Sequence, residues 1–225
     1  MVHAKAAERE DLPGEAAAGA AASAKSRTRD RILEAAFGVL MEEGYAGATT
    51  REIAARAKVS KRELYALFGS KQGILAALIE TRSSLMRMPL TTSADVRTRA
   101  ELASTLIRYG ANLLQEVLQP APLALHRLAL AEAERSPEMA RILDEGGRST
   151  NHRSLIAFLA AAKGHGLLPD AEPEAMARRY FSLLWGDLLL RVLMRVAELP
   201  KPEEIKARAE AATADFLALY PASEP

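Results

Sequence analysis

The chain has 225 residues, of which 49% are hydrophobic and only 5% aromatic, a net charge of +1 and no cysteine. That length can bury a substantial core in one or two domains, and the lack of cysteine excludes a disulfide framework, a thiolate metal site and a cysteine nucleophile. No run reaches the roughly 18 apolar residues of a membrane span, the best candidate, Tyr180–Leu193, being broken by Ser182, Asp187 and Arg191.

Abundant Ala and Leu and the absence of apolar–polar alternation predict an all-α chain. Residues 1–24 carry two Lys or Arg against four Asp or Glu and almost no large apolar side chain. Such a stretch cannot offset its ordering entropy and is expected to be a disordered tail, with Glu15–Ala24 at most transiently helical. Charges from Lys5 to Glu15 leave no signal-peptide core, and a cytoplasmic location is expected. Residues 25–71 carry ten Lys or Arg against six Asp or Glu. Positive charge is therefore concentrated there, as a phosphate-binding module needs. After Lys25, Arg27, Arg29 and Arg31, the apolar stripe Ile32, Leu33, Ala36, Phe37, Leu40 and Met41 predicts a helix that ends at Glu42-Glu43-Gly44. Thr49 or Thr50 can cap a second helix, which places Ile53, Ala54 and Ala57 on one side. Ser60 with Glu63 three places on is the pattern of a capping box. It opens a third helix with Leu64 and Phe68 inward and Gly69-Ser70 as its stop. Two helices of about two turns joined by Lys58-Val59 make a helix-turn-helix, with the first helix closing a small core.

The pattern Gly-Tyr, Thr-Thr-x-x-Ile-Ala-x-x-Ala-x-Val-Ser-x-x-x-Leu-Tyr-x-x-Phe-x-x-Lys, within Arg29–Leu78, resembles the N-terminal DNA-binding domain of the TetR family of bacterial transcriptional regulators. The departure is Lys58, where the family usually has glycine. If that residue takes positive φ, its side chain costs on the order of 1 kcal/mol.

A fourth helix is predicted from Lys71, with Ile74, Leu75, Leu78, Ile79 and Leu85 inward, ending at Met88-Pro89. A loop with a capping serine, Ser93, follows. Further helices are predicted over Val96–Gln119, Leu123–Arg135, Glu138–Glu145 (stopped by Gly146-Gly147), Ser149–Lys163, Ala175–Glu198 and Pro202–Tyr220, with a short tail at 221–225. The segment Ala175–Glu198 is apolar nearly all round, so it must be covered on two sides. Either a further internal helix or a second copy of the chain covers it. The domains are thus expected at 25–71 for DNA binding and 72–225 for a helical ligand-binding and dimerisation half.

Lys61 and Arg62 open the third helix, where side chains reach base edges in the major groove. Thr50, Arg51 and Ser60 lie at helix starts suited to gripping phosphates. Tyr65 points away from the core, and the resemblance implies phosphate contacts for Tyr65 and Lys71. Arg27 and Arg29 either follow the minor groove or stay free. The resemblance also implies a homodimer through the last two long helices, with Leu184, Leu188, Leu189, Val192 and Phe216 at the interface. It implies as well a small effector among the middle helices, with Tyr109, Leu113, His126, Leu130, Phe158, Phe181 and Trp185 as candidate walls; mostly apolar walls suit an apolar or aromatic ligand. No two of His3, His126, His152 and His165 have the spacing of a helical metal site. No nucleophile elbow, phosphate loop or dinucleotide fingerprint is present, so no enzyme, metal or cofactor is expected. The expected function is a ligand-responsive repressor bound to double-stranded DNA. The other reading is an activator or adaptor without an effector.

Overall fold

The computed structural model describes residues 13–92 and 95–222. Among the described residues there is no β-strand. The expectations for residues 1–12, for Ser93 and for the last three residues of the tail lie outside that range. Helix α1 spans Pro13–Gly47, so helical backbone begins well before Lys25. Its apolar stripe works as expected, with Ile32, Leu33, Ala36 and Leu40 buried. At Gly44 the chain kinks (φ 70°, ψ 174°), a conformation that costs a glycine little. Helices α2 (Thr50–Ala57) and α3 (Lys61–Phe68) follow. Their Ile53, Ala54 and Leu64 are buried against α1, and Val59 and Phe68 are half-buried.

Helix α4, Lys71–Thr92, carries Pro89 inside its last turn rather than ending there. It belongs to two cores. Ile74, Leu75 and Ile79 pack with α1–α3, whereas Met86 and Leu90 pack with the C-terminal helices. Leu85, expected inward, is 42% exposed, and Met86 takes the buried position instead.

The C-terminal half comprises α5 (Arg99–Val117), α6 (Pro120–Ala131), α7 (Pro137–Leu143), α8 (Thr150–Gly164), α9 (Pro173–Trp185), α10 (Leu188–Leu193) and α11 (Pro202–Leu219). Thr98 and Glu101 form a capping box that starts α5. Tyr180 on α9 is fully buried and donates its hydroxyl proton to Leu106 O at 2.6 Å. Its ring meets Phe216 of α11 edge-on at 5.6 Å. A Cβ at Gly110 would press on the Tyr180 hydroxyl and Leu184, so glycine is what lets α5 cross α9 this closely.

Two breaks differ from expectation. Gly146-Gly147 does not stop the chain: a π-helical turn, Asp144–Ser149, carries α7 into α8. The expected single helix over Ala175–Glu198 is two. Gly186 adopts φ 48° and ψ −122°, and Arg195 has φ 58° beyond α10. The apolar circumference is resolved by this bend. Leu184 and Val192 enter the core, while Leu190, Met194, Val196 and Leu199 are exposed.

Candidate DNA-binding face and helical cavity

The turn between α2 and α3 is built by local chemistry. Thr49 Oγ1 accepts the Glu52 N–H at 3.2 Å, satisfying a donor that a helix start leaves free. Lys58 closes α2 in the left-handed region, at φ 53° and ψ 48°. Arg31 of α1 donates to Ala57 O at 2.7 Å and Lys58 O at 3.0 Å, capping the carbonyls there. The Ser60–Glu63 capping box is present in both directions. Ser60 Oγ accepts the Glu63 N–H and donates its only proton to the Glu63 carboxylate at 2.7 Å. The Ser60 backbone N–H, which donates to the same carboxylate at 2.8 Å, and then the Ser60 hydroxyl hold the Glu63 carboxyl below its usual range. Ser60 is therefore a cap in this arrangement, and a phosphate contact would require its proton to leave Glu63.

Lys61 and Arg62 are exposed in the first turn of α3, and Arg51 is exposed in the first turn of α2. Tyr65 is 47% exposed, and its hydroxyl lies 3.0 Å from Thr50 Oγ1. That bond joins the outer faces of the two helices. Lys71 behaves differently. Its ammonium lies 4.3 Å over the Tyr45 ring and donates to Tyr45 O at 2.8 Å. Arg27 is exposed, and the Arg29 guanidinium stands over the Phe68 ring at 5.9 Å.

A cavity of about 590 Å³ opens among α4 to α10. Of the expected wall residues, Leu113, His126, Leu130, Phe181 and Trp185 line it. Tyr109 and Phe158 do not, because both are packed into the core behind it, Tyr109 fully buried with its hydroxyl donating to Asn151 O at 3.3 Å. The walls are mainly apolar, with a polar margin of Arg82, Ser83, Arg148, Asn151, His152 and Arg178 that sequence reasoning missed. Asn151 is 2% exposed. Its amide donates to Ser83 Oγ at 3.0 Å and Gly147 O at 2.9 Å, tying the π-helical turn to α4. A lone Asn in the apolar stripe of Leu155, Phe158 and Ala162 was the available signal. Burial holds the His126 imidazole below its ordinary range. Burial and the cations Arg148 and Arg178 do the same for His152, with Glu174 opposing.

The expected dimer residues divide. Leu184, Val192 and Phe216 are at most 3% exposed within one subunit, so its own core covers them and they cannot form a contact face. Leu188 and Leu189 remain partly exposed. The exposed side of α11 instead presents Ala207, Ala211, Ala214 and Ala218. Beside it a groove is bordered by Leu183, Leu188 and Leu199.

Among the described residues, no helix is long and apolar enough to cross a membrane. Residues 32–78 match the family model of bacterial regulatory proteins, tetR family, and residues 104–222 match that of the AefR-like transcriptional repressor C-terminal domain. An uncharacterised HTH-type transcriptional regulator of Bacillus subtilis, YvkB, is 25% identical over 79% of this chain and 89% of its own length. A TetR transcriptional regulator from Agrobacterium tumefaciens is 31% identical, with a TM-score of 0.69 over 87% of this chain and 95% of its own. The flavonoid-responsive regulator FrrA is 28% identical, with a TM-score of 0.69 over 89% of this chain and all of its own. With a helix-turn-helix at one end and a matched regulatory half at the other, the chain belongs to the TetR family of transcriptional regulators, and its work is the control of transcription rather than catalysis.

Proposed function

We propose that this regulator is a homodimeric repressor, released from its operator by a small apolar or aromatic effector. The observation that carries this reading is the cavity, because Leu78, Ile79, Arg82, Ser83 and Met86 of α4 form one of its walls. The same helix supplies Ile74, Leu75 and Ile79 to the core under the helix-turn-helix. A ligand that binds two positions of α4 with different affinity thereby shifts the spacing of the recognition helices. Phe181, Trp185, His126 and His152 among the walls favour a planar aromatic ligand, in keeping with the flavonoid response for which FrrA is named. Each subunit presents Lys61 and Arg62 to the base edges of one half-site, with Arg51, Thr50, Tyr65 and Lys71 toward phosphates. Ser60 serves this face as the cap of α3. The second copy is held by the outer face of α11 and the groove beside it.

The experiment has two arms. A duplex selected from a random library by the purified protein should bind with steep salt dependence, and Arg51→Ala should lower the slope of log K against log salt by about one. Salt-independent binding, or no binding to any DNA, would overturn the DNA-binding assignments. In the second arm a panel of flavonoids, phenolic acids and fatty acids is screened by thermal shift. An effector raises the melting temperature in a concentration-dependent way and releases the duplex. A panel without such a compound goes against the aromatic and apolar assignment.

A further inference from the structure

We propose that Glu132, in the turn between α6 and α7, is a positioning residue for DNA binding. It holds the segment that leads from α1 into the helix-turn-helix. At Gly44 the helical path of α1 breaks, and the turn Tyr45–Gly47 starts afresh. The first N–H groups of such a turn have no partner within it. Glu132 supplies both partners from 86 and 87 residues away: Oε1 accepts the Tyr45 N–H at 2.9 Å and Oε2 accepts the Ala46 N–H at 3.2 Å. One carboxylate thus acts as the cap, and its charge suits the positive end of the turn.

Three observations make this more than a surface contact. A Cβ on Gly44 would collide with Glu132 Oε1, so the residue that kinks α1 also makes room for the carboxylate. Tyr45 is 1% exposed and is held on both sides: its N–H by Glu132 and its carbonyl by Lys71 at the start of α4. Glu132 itself is fixed by backbone bonds, its N–H to Leu128 O at 3.0 Å and its carbonyl to Ser136 N at 2.7 Å. Ala48 is buried just beyond, and Thr49 caps α2. Only Gly47 and Ala48 therefore separate the clamped Ala46 from the cap of the first DNA-facing helix. On the other side, Ala129, Leu130 and Ala133 around Glu132 line the cavity.

The test uses the full chain and the selected duplex, with no small molecule. Glu132→Ala should speed amide exchange at Tyr45 and Ala46 at least tenfold, with α5 and α11 unchanged. It should weaken duplex binding at least tenfold. The salt slope should stay as in the wild type, because no phosphate contact is removed. Glu132→Gln keeps one acceptor and should fall between the two. Gly44→Ala, which pushes the carboxylate aside, should weaken binding less in the Glu132→Ala background than alone. A folded Glu132→Ala protein within twofold of wild-type affinity would overturn the proposal, as would a change of salt slope. Should Glu132→Ala not fold, Glu132→Gln decides, and wild-type affinity in that variant overturns it. Transmission from the cavity through this clamp rests on the proposed effector reading. That reading fails separately, when no compound raises the melting of the wild type, and it leaves the Glu132 result standing.

Discussion

Lys58 occupies a backbone position that most residues avoid. Its φ of 53° brings Cβ close to the carbonyl oxygen, which costs an L-residue on the order of 1 kcal/mol. The geometry survives because everything around it is satisfied. The Lys58 N–H reaches Ala55 O and the Val59 N–H reaches Ala54 O, while Arg31 covers the two carbonyls that follow. Glycine would relieve the strain, though its greater freedom in the unfolded chain takes back part of the gain. Lys58→Gly should therefore raise the unfolding free energy by roughly 0.5 kcal/mol, read from urea denaturation. The same variant should bind DNA more weakly at low salt, since it removes a cation beside α3. This residue was legible from sequence as a strained position, because a turn is fixed by some ten consecutive residues. Its rescue by Arg31 was not, because the donor lies 27 residues away on another helix.

At the scale of elements, the same division between local and distant causes holds. Caps at Thr49 and Ser60 are written in adjacent residues and form as the sequence indicates, whereas the cap at Thr98 starts α5 three residues after the expected Val96. The break at Gly186 was not legible. It sits in an apolar run whose helical period continues across it, and the groups that meet the bend are distant: Arg208 of α11 donates to Leu184 O at 3.3 Å. Arg127 of α6 donates to Val192 O at 2.9 Å and Leu193 O at 3.1 Å, closing α10 from outside. The crossing of α5, α9 and α11 depends equally on a distant fit. Gly110 faces the Tyr180 hydroxyl, Leu184 and Ala209, and Tyr180 cannot retreat without losing its bond to Leu106 O. Gly110→Ala would place a methyl group in this crossing. Overpacking of this kind costs about 1–3 kcal/mol, offset in part by the helix propensity of alanine. Urea denaturation should show a net loss of about 1 kcal/mol or more. An unchanged midpoint would mean that α9 shifts freely, and that this core is looser than its buried tyrosines indicate.

At the scale of the whole molecule, α6 touches the cavity, α10 and the segment that leads into the helix-turn-helix. Its His126 and Leu130 face the cavity, its Arg127 holds α10, and Glu132 at its end holds Tyr45. Of the residues expected at a dimer face, Leu184, Val192 and Phe216 lie in the core of their own subunit, so the proposed face lies elsewhere. Apolar character signals burial but not what does the burying, so Leu184, Val192 and Phe216 looked equally suited to a partner or to their own core. The exposed alanines of α11 carried no such signal, because small residues are common on any helix. They recur at positions 207, 211, 214 and 218, spacings of four and three that keep one face of a helix flat enough for a second helix to approach closely. Ala211 is exposed in the single subunit, so Ala211→Arg leaves the subunit core intact and blocks only an approaching copy. Light scattering should give twice the subunit mass for the wild type and the subunit mass for the variant. Circular dichroism should show the same helix content for both. Affinity for a two-half-site duplex should then fall by at least a hundredfold, because the second half-site is no longer bound as an intramolecular event, while affinity for a single half-site should hardly change. A wild-type monomer, or a dimeric Ala211→Arg variant, would refute this face as the interface.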